Sequence, residues 1–383
     1  MSSTRAGRYE PQPGGYRAFV PAALPPAGLS IDSKLQALLS RADQAIGRLD
    51  AVSQVPDPHL FVQMYIRREA VLSSQIEGTQ ASLMDVLEFE AEGDRATLRE
   101  DVLEIENYIV AMHHGLIRLR DLPVSRRLLC DVHAVLMEGV RGGDRDKTPG
   151  RFRKSQNWIG GVSPASARFV PPPWEEVGPA FADLENFLHD PAPMPPLLKV
   201  GIAHAQFETI HPFLDGNGRI GRLLITFWLI SEGVLRQPLL YPSLFFKEHR
   251  EEYGARLQAV RDTGDWEAWL AFFLDGIGSV AEEAAVRARE ILALRDEHRR
   301  LIVESAGKRA PNALLLLDVL FHMPVVDARE VQGELQVSQP TASALVNDLE
   351  RLGILTEVTG KKRNRLFAYE AYINLFPGAA SKN

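Results

Sequence analysis

Residues 211–222 read His211-Pro212-Phe213-Leu214-Asp215-Gly216-Asn217-Gly218-Arg219-Ile220-Gly221-Arg222. How this stretch is classed decides the reading of the whole chain. It holds a titratable base in His211, a hard-cation ligand in Asp215, a glycine-rich turn at 216–218 and two arginines one helical turn apart. The apolar run 223–230 follows directly and predicts a helix leaving the turn. Before it, 197–210 carries small and apolar residues at three- and four-residue spacing, so it too reads as helix. The turn then sits at a helix N-terminus, where free backbone N–H groups and the helix dipole favour an anion. Asp215 can give oxygen to Mg2+, which takes a carboxylate or two plus phosphate oxygens. Arg219 and Arg222 can fork onto phosphate or carboxylate oxygens. Such a set can hold a polyphosphate, neutralise it and deprotonate a group beside it.

Three other readings of the stretch are weaker. Gly216, Gly218 and Gly221 spell G-x-G-x-x-G, a dinucleotide fingerprint that needs a preceding strand and an acidic residue about 20 positions on. The helical pattern of 197–210 and Pro212 deny that strand. A Ca2+ loop fails because Arg219 and Ile220 stand where it needs a ligand and a glycine. His204, Glu208 and His211 lie four and three apart and could line a helical face as zinc ligands, but Pro212 frays that end and no third histidine follows.

The twelve positions match H-x-F-x-[DE]-G-N-G-R-x-x-R throughout and so resemble the Fic family. Members of that family transfer part of a nucleotide, most often AMP from ATP, onto a hydroxyl of a target protein. The resemblance implies a mostly α fold, a Fic-type helical core with a β-hairpin flap. It implies that His211 is the general base acting on a Ser, Thr or Tyr hydroxyl, that Asp215 holds Mg2+, and that Phe213 anchors the loop. Gly216, Asn217, Gly218, Ile220 and Gly221 would line the nucleotide, with Arg219 and Arg222 on its outer phosphates. In-line attack at the α-phosphorus needs positioning and charge neutralisation more than covalent help. A base near neutral pH suits a hydroxyl nucleophile. Tyr253 lies where the family often presents an aromatic to the adenine, and it reads equally well as a buried packing residue.

Far upstream, Ser73-Ser74-Gln75-Ile76-Glu77-Gly78 resembles the inhibitory signature [ST]-x-x-x-E-[GN] of the same family. Phe61, Met64, Tyr65, Val71, Leu72 and Ile76 predict an amphipathic helix over 60–77 that ends at Gly78. Thr79 is placed to cap the next helix, beginning near Ala81. Ser73 and Glu77, four apart, share a helical face. The resemblance implies that Glu77 pairs with Arg222, so that ATP binds in a posture unfit for transfer. The plain alternative is a surface glutamate that the helix dipole slightly disfavours. Two β-prone runs, 157–161 and 167–171, flank a Ser/Pro/Ala loop and predict a hairpin ended by Pro171, Pro172 and Pro173. By resemblance, this 157–171 flap docks the target protein as an added strand.

Composition sets the outer bounds. A chain of 383 residues, 45% hydrophobic, can build a sizeable core over two or three domains. No run approaches the roughly 18 apolar residues of a membrane span. The first residues lack a basic-then-apolar leader, so the expectation is a cytoplasmic protein with no membrane partner. Cys130, the single cysteine, cannot form an internal disulfide and reads as small apolar packing. Net charge −7 argues against general nucleic-acid binding by the whole chain. Residues 88–92 (EFEAE) read as a solvated helix face.

Punctuation divides the chain. Residues 1–30 are Pro- and Gly-rich and predict an extended N-terminal arm. Residues 31–110 form a helical region carrying the inhibitory helix. The catalytic core takes 111–305, with a Gly-rich break at 139–150 and later helices over 248–261 and 266–300. Residues 306–383 form a separate unit. There, 310–321 and 327–335 read as helices, Gln336-Val337-Ser338 as a helix-turn-helix corner, and 339–352 as a helix with Ala342, Leu345, Val346, Leu349 and Leu352 inside. Strand, turn and strand follow at 354–358, 359–364 and 365–369, a pattern that resembles a winged helix. Lys361, Lys362, Arg363 and Arg365 make a basic wing able to touch phosphate. The rest of the unit is near charge balance, which favours protein docking over nucleic acid. An exposed apolar face on 339–352 would favour a homodimer.

The expectation is therefore a protein adenylyltransferase restrained by Glu77, with ATP as substrate and Mg2+ as cofactor. Removal of AMP by the same site, with Glu77 positioning a water, is one alternative. A winged-helix DNA-binding regulator whose Fic domain senses nucleotide is another. The phosphate-transferring branch of the family carries Lys where Gly218 stands, which disfavours phosphate transfer.

Overall fold

The computed structural model describes residues 3–52, 59–93, 99–139, 147–361 and 363–376. Its first element differs from the expected extended arm. Strands β1 (Ser3–Thr4), β2 (Gly7–Gln12) and β3 (Tyr16–Pro21) form an antiparallel meander in that order. Gly14 and Gly15, both at positive φ, close β2 onto β3. The sheet is tied to the helical body by the Arg5–Glu267 ion pair and by a 2.8 Å bond from the Tyr9 hydroxyl to Asp262.

The body follows as α1 (Ser33–Val52), α2 (His59–Glu77), α3 (Leu83–Glu92), α4 (Glu100–Arg118), α5 (Arg126–Leu136), α6 (Trp174–His189), α7 (Pro196–Ile210), α8 (Asn217–Ser231), α9 (Ser243–Glu248), α10 (Arg250–Thr263) and α11 (Trp266–Ser305). At its centre lie α7 and α8. Residues 197–210 are buried on every face, the pattern of a helix wrapped by others. The apolar stripe of α1 (Leu35, Ala42, Ala45, Ile46, Leu49) packs along α11. Behind α8 stand α2, α4 and α5, so α2 can present side chains directly to α8.

Two local expectations change. Ser82 rather than Thr79 caps α3, its hydroxyl taking the Asp85 N–H at 3.2 Å while Asp85 takes the Ser82 N–H at 2.7 Å. The Thr79 hydroxyl turns instead to Glu104 at 3.4 Å. Residues 88–92 are not a plain solvated face, because Ala91 is buried and Glu90 and Glu92 pair with Arg67 and Lys361 at 2.8 and 3.3 Å.

The hairpin at 157–171 is reduced to one bridge, Ile159 to Phe169, across a 3-10 turn at Pro164–Ser166. Gly160 and Gly161, at φ 70° and 74°, turn the chain out of a regular ladder. The second run is instead bound from its other side, the Phe19 N–H of β3 donating to the Val170 carbonyl at 2.9 Å.

The C-terminal unit runs α12 (Ala310–Leu320), β4 (Val325–Val326), α13 (Ala328–Leu335), α14 (Gln339–Arg351), β5 (Thr356–Glu357), β6 (Phe367–Ala368) and α15 (Glu370–Ile373), with sheet order β4-β6-β5. Gln336, at φ 52°, makes the corner between α13 and α14. Ala342, Leu345, Val346 and Leu349 are all consumed by the unit's own core, so α14 keeps no apolar face for a homodimer. Lys362 of the expected wing lies outside the described residues. The unit rests against α2: Arg67 donates to the His322 carbonyl at 3.1 Å, and Phe376 meets Tyr65 edge-on at 5.6 Å. Among the described residues, no helix is long and apolar enough to cross a membrane.

Gly115 of α4 faces the Phe227 ring of α8 so closely that a Cβ there would overlap it. Gly115→Ala should therefore overpack the α4–α8 contact and lower the urea midpoint by the equivalent of about 1–3 kcal/mol. Gly47 of α1 has nothing within 4 Å of its Cβ position, and Gly47→Ala should hold or raise the midpoint by about 0.4–1 kcal/mol. Equal midpoints for both variants would refute this packing.

Candidate active site

Helix α7 stops because His211 adopts a left-handed conformation, φ 49° and ψ 60°. A non-glycine residue stays there only when its surroundings hold it. Its carbonyl accepts from Arg153 Nε at 3.0 Å and from Asn157 Nδ2 at 3.3 Å. Pro212 then has no N–H with which to extend the helix. Asn217 closes the loop in both directions: its Nδ2 donates to the Phe213 carbonyl and its Oδ1 accepts from the Phe213 N–H, each at 2.8 Å. The Asn217 side chain is thus spent on the loop, and its offer to a phosphate is the backbone of α8's first turn. Phe213 is fully buried and anchored, stacked on His133 with ring centroids 3.8 Å apart. Ile220 is fully buried as well, so only its backbone faces the loop.

His133 steadies the turn from α5. Its Nδ1 accepts from the Gly150 N–H at 2.8 Å, which places the proton on Nε2, and Nε2 donates to the Asp215 carbonyl at 3.0 Å. Burial, with Arg219 nearby, pushes His133 down to about 4. His211 is pushed down to about 3, first by burial and then by the charges of Arg261 and Arg153, against the opposing pull of Glu77. Its Nδ1 makes no hydrogen bond among the described residues, and the Glu208 backbone pulls the ring slightly toward its protonated form. The ring is only partly covered. At neutral pH it is a neutral imidazole, able to take a proton.

The anion-holding groups differ in readiness. Arg219 is 4% exposed, yet its Nε and Nη1 find no hydrogen-bond partner among the described residues. Glu104 and Asp215 stand at 3.6 and 4.0 Å, too far for strong bonds. A buried guanidinium with unmet donors is a ready seat for phosphate. Asp215 receives the Lys147 ammonium at 2.8 Å and the Gly216 N–H at 2.7 Å. Burial would raise its pKa, but these bonds hold the carboxyl below its usual range. The Asp215 side chain is 37% exposed and already attracts a cation, which fits a Mg2+ ligand. Among the described residues no group of three acidic or histidine side chains could hold a metal alone. A Mg2+ here would share Asp215 with phosphate oxygens.

Arg222 is held from α2 through Nε and Nη2. Its Nε donates to Ser73 Oγ at 2.8 Å, and its Nη2 donates to the Ser73 carbonyl at 3.0 Å and to Glu77 Oε1 at 2.6 Å. Glu77 keeps 41% of its side chain open. Burial would raise its pKa, yet the charge and hydrogen bond of Arg222, with Arg219 and His211, hold it below the usual carboxylate range. Gly218 makes the approach possible, since a Cβ there would overlap the Glu77 carboxylate. Gly221 likewise leaves room for the Glu208 carboxylate, and Gly216 sits at φ 74° with Met137 Sδ 3.0 Å from its Cβ position.

Tyr253 is 8% exposed, stacked on Phe246 at 4.6 Å, with its hydroxyl on His204 Nε2 at 2.8 Å. That placement matches the packing alternative and not an open platform for a base. His204 Nδ1 is bonded to the Gly221 carbonyl at 2.8 Å, so both ring nitrogens are in use and the zinc face is unavailable. Sequence reasoning missed Lys147, His133, Arg153 and Asn157. None lies within 50 residues of the loop's center by any local pattern, and only the fold brings them to it.

The two buried rings give a direct check. His204 is held down to about 3 and His133 to about 4, mainly by burial. Nitrogen-detected NMR should find His204 as the Nδ1–H tautomer and His133 as the Nε2–H tautomer, neither titrating between about pH 5 and 8. An imidazolium signal from either within that window would contradict the site geometry.

Comparison with known proteins points to one family. Residues 36–117 match the Fic/DOC family N-terminal description, and residues 123–229 match the Fic/DOC family itself. A probable protein adenylyltransferase of Aquifex aeolicus is 29% identical over 202 residues, covering 53% of this chain and 57% of that protein. A protein adenylyltransferase Fic of Aedes aegypti is 29% identical over 260 residues, covering 63% of this chain and 46% of that protein. The chain thus spans about half the length of these curated relatives. A Fic family protein from Desulfovibrio desulfuricans shares the fold at TM-score 0.56 and 19% identity, over 89% of this chain and 97% of that one. A Fic domain containing signaling protein from Bacteroides thetaiotaomicron does so at TM-score 0.51 and 16% identity, over 66% and 96%. The first match contains Ser73 and Glu77, the second contains the entire 211–222 loop, and residues 36–117 and 123–229 thus carry the sequence of the Fic/DOC family.

Proposed function

We propose that this chain is a protein adenylyltransferase. A Ser, Thr or Tyr hydroxyl of the target attacks the α-phosphorus of ATP and passes its proton to His211 Nε2. The new oxygen–phosphorus bond forms as the bond from the α-phosphorus to the bridging oxygen breaks, so AMP stays on the target and pyrophosphate leaves. One observation carries this reading: a neutral imidazole and a buried guanidinium with unmet donors converge on one loop at a helix N-terminus. A triphosphate beside His211 raises its proton affinity, the direction a general base needs. Mg2+ on Asp215 would neutralise phosphate charge. The relatives named protein adenylyltransferase lend the same support.

In this reading Glu77 is a restraint. It occupies the Nη2 of Arg222 that an outer phosphate of ATP would use. The target segment would dock along the 157–161 run, because the 167–171 run is already bound at Val170 by Phe19. Trp158 in that run and Val162 just beyond it, 39% and 92% exposed, are the apolar contacts on offer.

Transfer of label from α-labelled ATP tests the proposal. Breaking a charge-assisted bond worth about 1.5–3 kcal/mol should raise labelling by Glu77→Gly roughly ten- to hundredfold over the unaltered chain. Adding His211→Ala should cut it about 10²–10⁴-fold. Labelling by neither form would sink transfer. Release of AMP from a modified target, dependent on Glu77, would move the assignment to removal.

A second reading concerns the C-terminal unit, whose element order resembles a winged helix. Arg329, Arg363 and Arg365 are exposed and form no ion pair among the described residues. They surround a cavity of about 220 Å³ into which α14 presents Gln339, Ser343 and Asn347, beside Asp327. Arg309 and Arg351, elsewhere on the unit, are both spent on Asp348. Unpaired arginines around amides and a hydroxyl suit duplex DNA, with phosphates on the rim and base edges at the helix. Arg329→Ala or Arg363→Ala should weaken duplex binding and lower its salt slope by about one. Binding without salt dependence, or none, would return this face to protein docking.

A further inference from the structure

Arg222 is held by more than the glutamate that faces it. Glu69, Ser73 and Glu77 follow one another at intervals of four on α2 and so share one face. Glu77 stands at the open end. Glu69, at the other end, is a carboxylate only 1% exposed, and burying one is costly unless it is compensated. Ser243 compensates it with its hydroxyl at 2.5 Å and its N–H at 3.2 Å, and the Tyr108 hydroxyl donates to it at 3.2 Å. Burial pushes Glu69 up to about 7, and the Ser243 hydroxyl and the Arg222 charge are the largest pulls back toward its ionised form.

The donors point one way. Guanidinium has no acceptor, so Ser73 Oγ must accept from Arg222 Nε. Its own hydrogen is then free to turn toward the neighbouring Tyr108 oxygen. Tyr108 in turn gives its hydrogen to Glu69. Arg222, Ser73, Tyr108 and Glu69 thus form a buried row of polar groups, hydrogen-bonded at both ends, with Ser73 and Tyr108 neighbours at its middle and each member at most 1% exposed. Two carboxylates answer to one arginine, Glu77 by direct contact and Glu69 through two hydroxyls behind it.

We infer that Glu69, Tyr108 and Ser73 are positioning residues that hold the Arg222 guanidinium in place for the outer phosphates of ATP, independently of Glu77. The inference rests on the adenylyltransferase reading and deepens it. Glu77 has solvent to turn into, whereas the buried row has none. When Glu77 leaves, Nη2 loses one acceptor while Nε and the Ser73 carbonyl contact stay. The guanidinium keeps its place with an edge directed at the Gly218 turn, against which its Nη1 lies.

Calorimetric affinities for ATP and AMP in the Glu77→Gly chain test this, with Tyr108→Phe, Glu69→Gln, Ser73→Ala or Ser73→Thr added. AMP lacks the outer phosphates. The first three additions should weaken ATP roughly tenfold and leave AMP within about twofold. In transfer assays they should raise KM for ATP more than they lower kcat. Ser73→Thr, which keeps a hydroxyl, should restore ATP affinity. Equal weakening of ATP and AMP would reduce the row to ordinary packing, and unchanged ATP affinity would remove it from the site. Failure of the Glu77→Gly parent to bind either nucleotide would instead overturn the nucleotide reading itself, and this inference with it.

Discussion

A guanidinium at 1% exposure in the middle of a helical core is the constraint around which the rest of this molecule is arranged. Arg222 cannot give up its proton, so the fold must bring acceptors to it. Those acceptors come from α2, nearly 150 residues earlier in the chain. The need fixes where α2 lies against α8. It explains why Gly218 carries no side chain, and why the turn of α2 bearing Ser73 is fully buried. It also sets the balance of the site. An arginine whose strongest partner is a partly exposed carboxylate is open to exchange with another anion of the right reach.

The loop beside it is built to be rigid before any ligand arrives. Asn217 holds Phe213 by both amide atoms, His133 takes the Asp215 carbonyl, and Arg153 fixes the carbonyl of a strained His211. These bonds spend polar groups on shape. The groups left over are the ones with chemistry: the His211 ring, two nitrogens of Arg219, the Asp215 carboxylate and the first turn of α8. Burial keeps His133, His204 and His211 neutral, so the positive charge of the site comes from arginine and lysine and is insensitive to pH near neutrality.

Helix α2 ties this site to the C-terminal unit. One half of the helix grips Arg222, and the other meets Phe376 and the His322 carbonyl through Tyr65 and Arg67. Lys361 of the same unit reaches Glu92 on α3. The contacts to Arg222 and the docking of the C-terminal unit therefore share one helix.

By itself, the sequence determined the elements whose signals are local. Helix periodicity placed α2, α7 and α8 within a few residues, and the order of His211, Asp215, the glycines and the two arginines defined the loop. The pairing of Glu77 with Arg222 was legible only because both lie in recognisable motifs. Tertiary structure decided what depends on partners far along the chain. Residues 3–21 became a sheet, and 157–171 kept a single bridge while β3 bound its second run at Val170 from the opposite edge. Tyr253 went to packing because His204 was in reach of its hydroxyl. Lys147, His133 and Arg153 joined the loop without any motif to announce them, since hydrogen bonds across 58 to 82 residues leave no periodicity in sequence. A motif states which groups are present. Burial and distance decide which of them are left free to act.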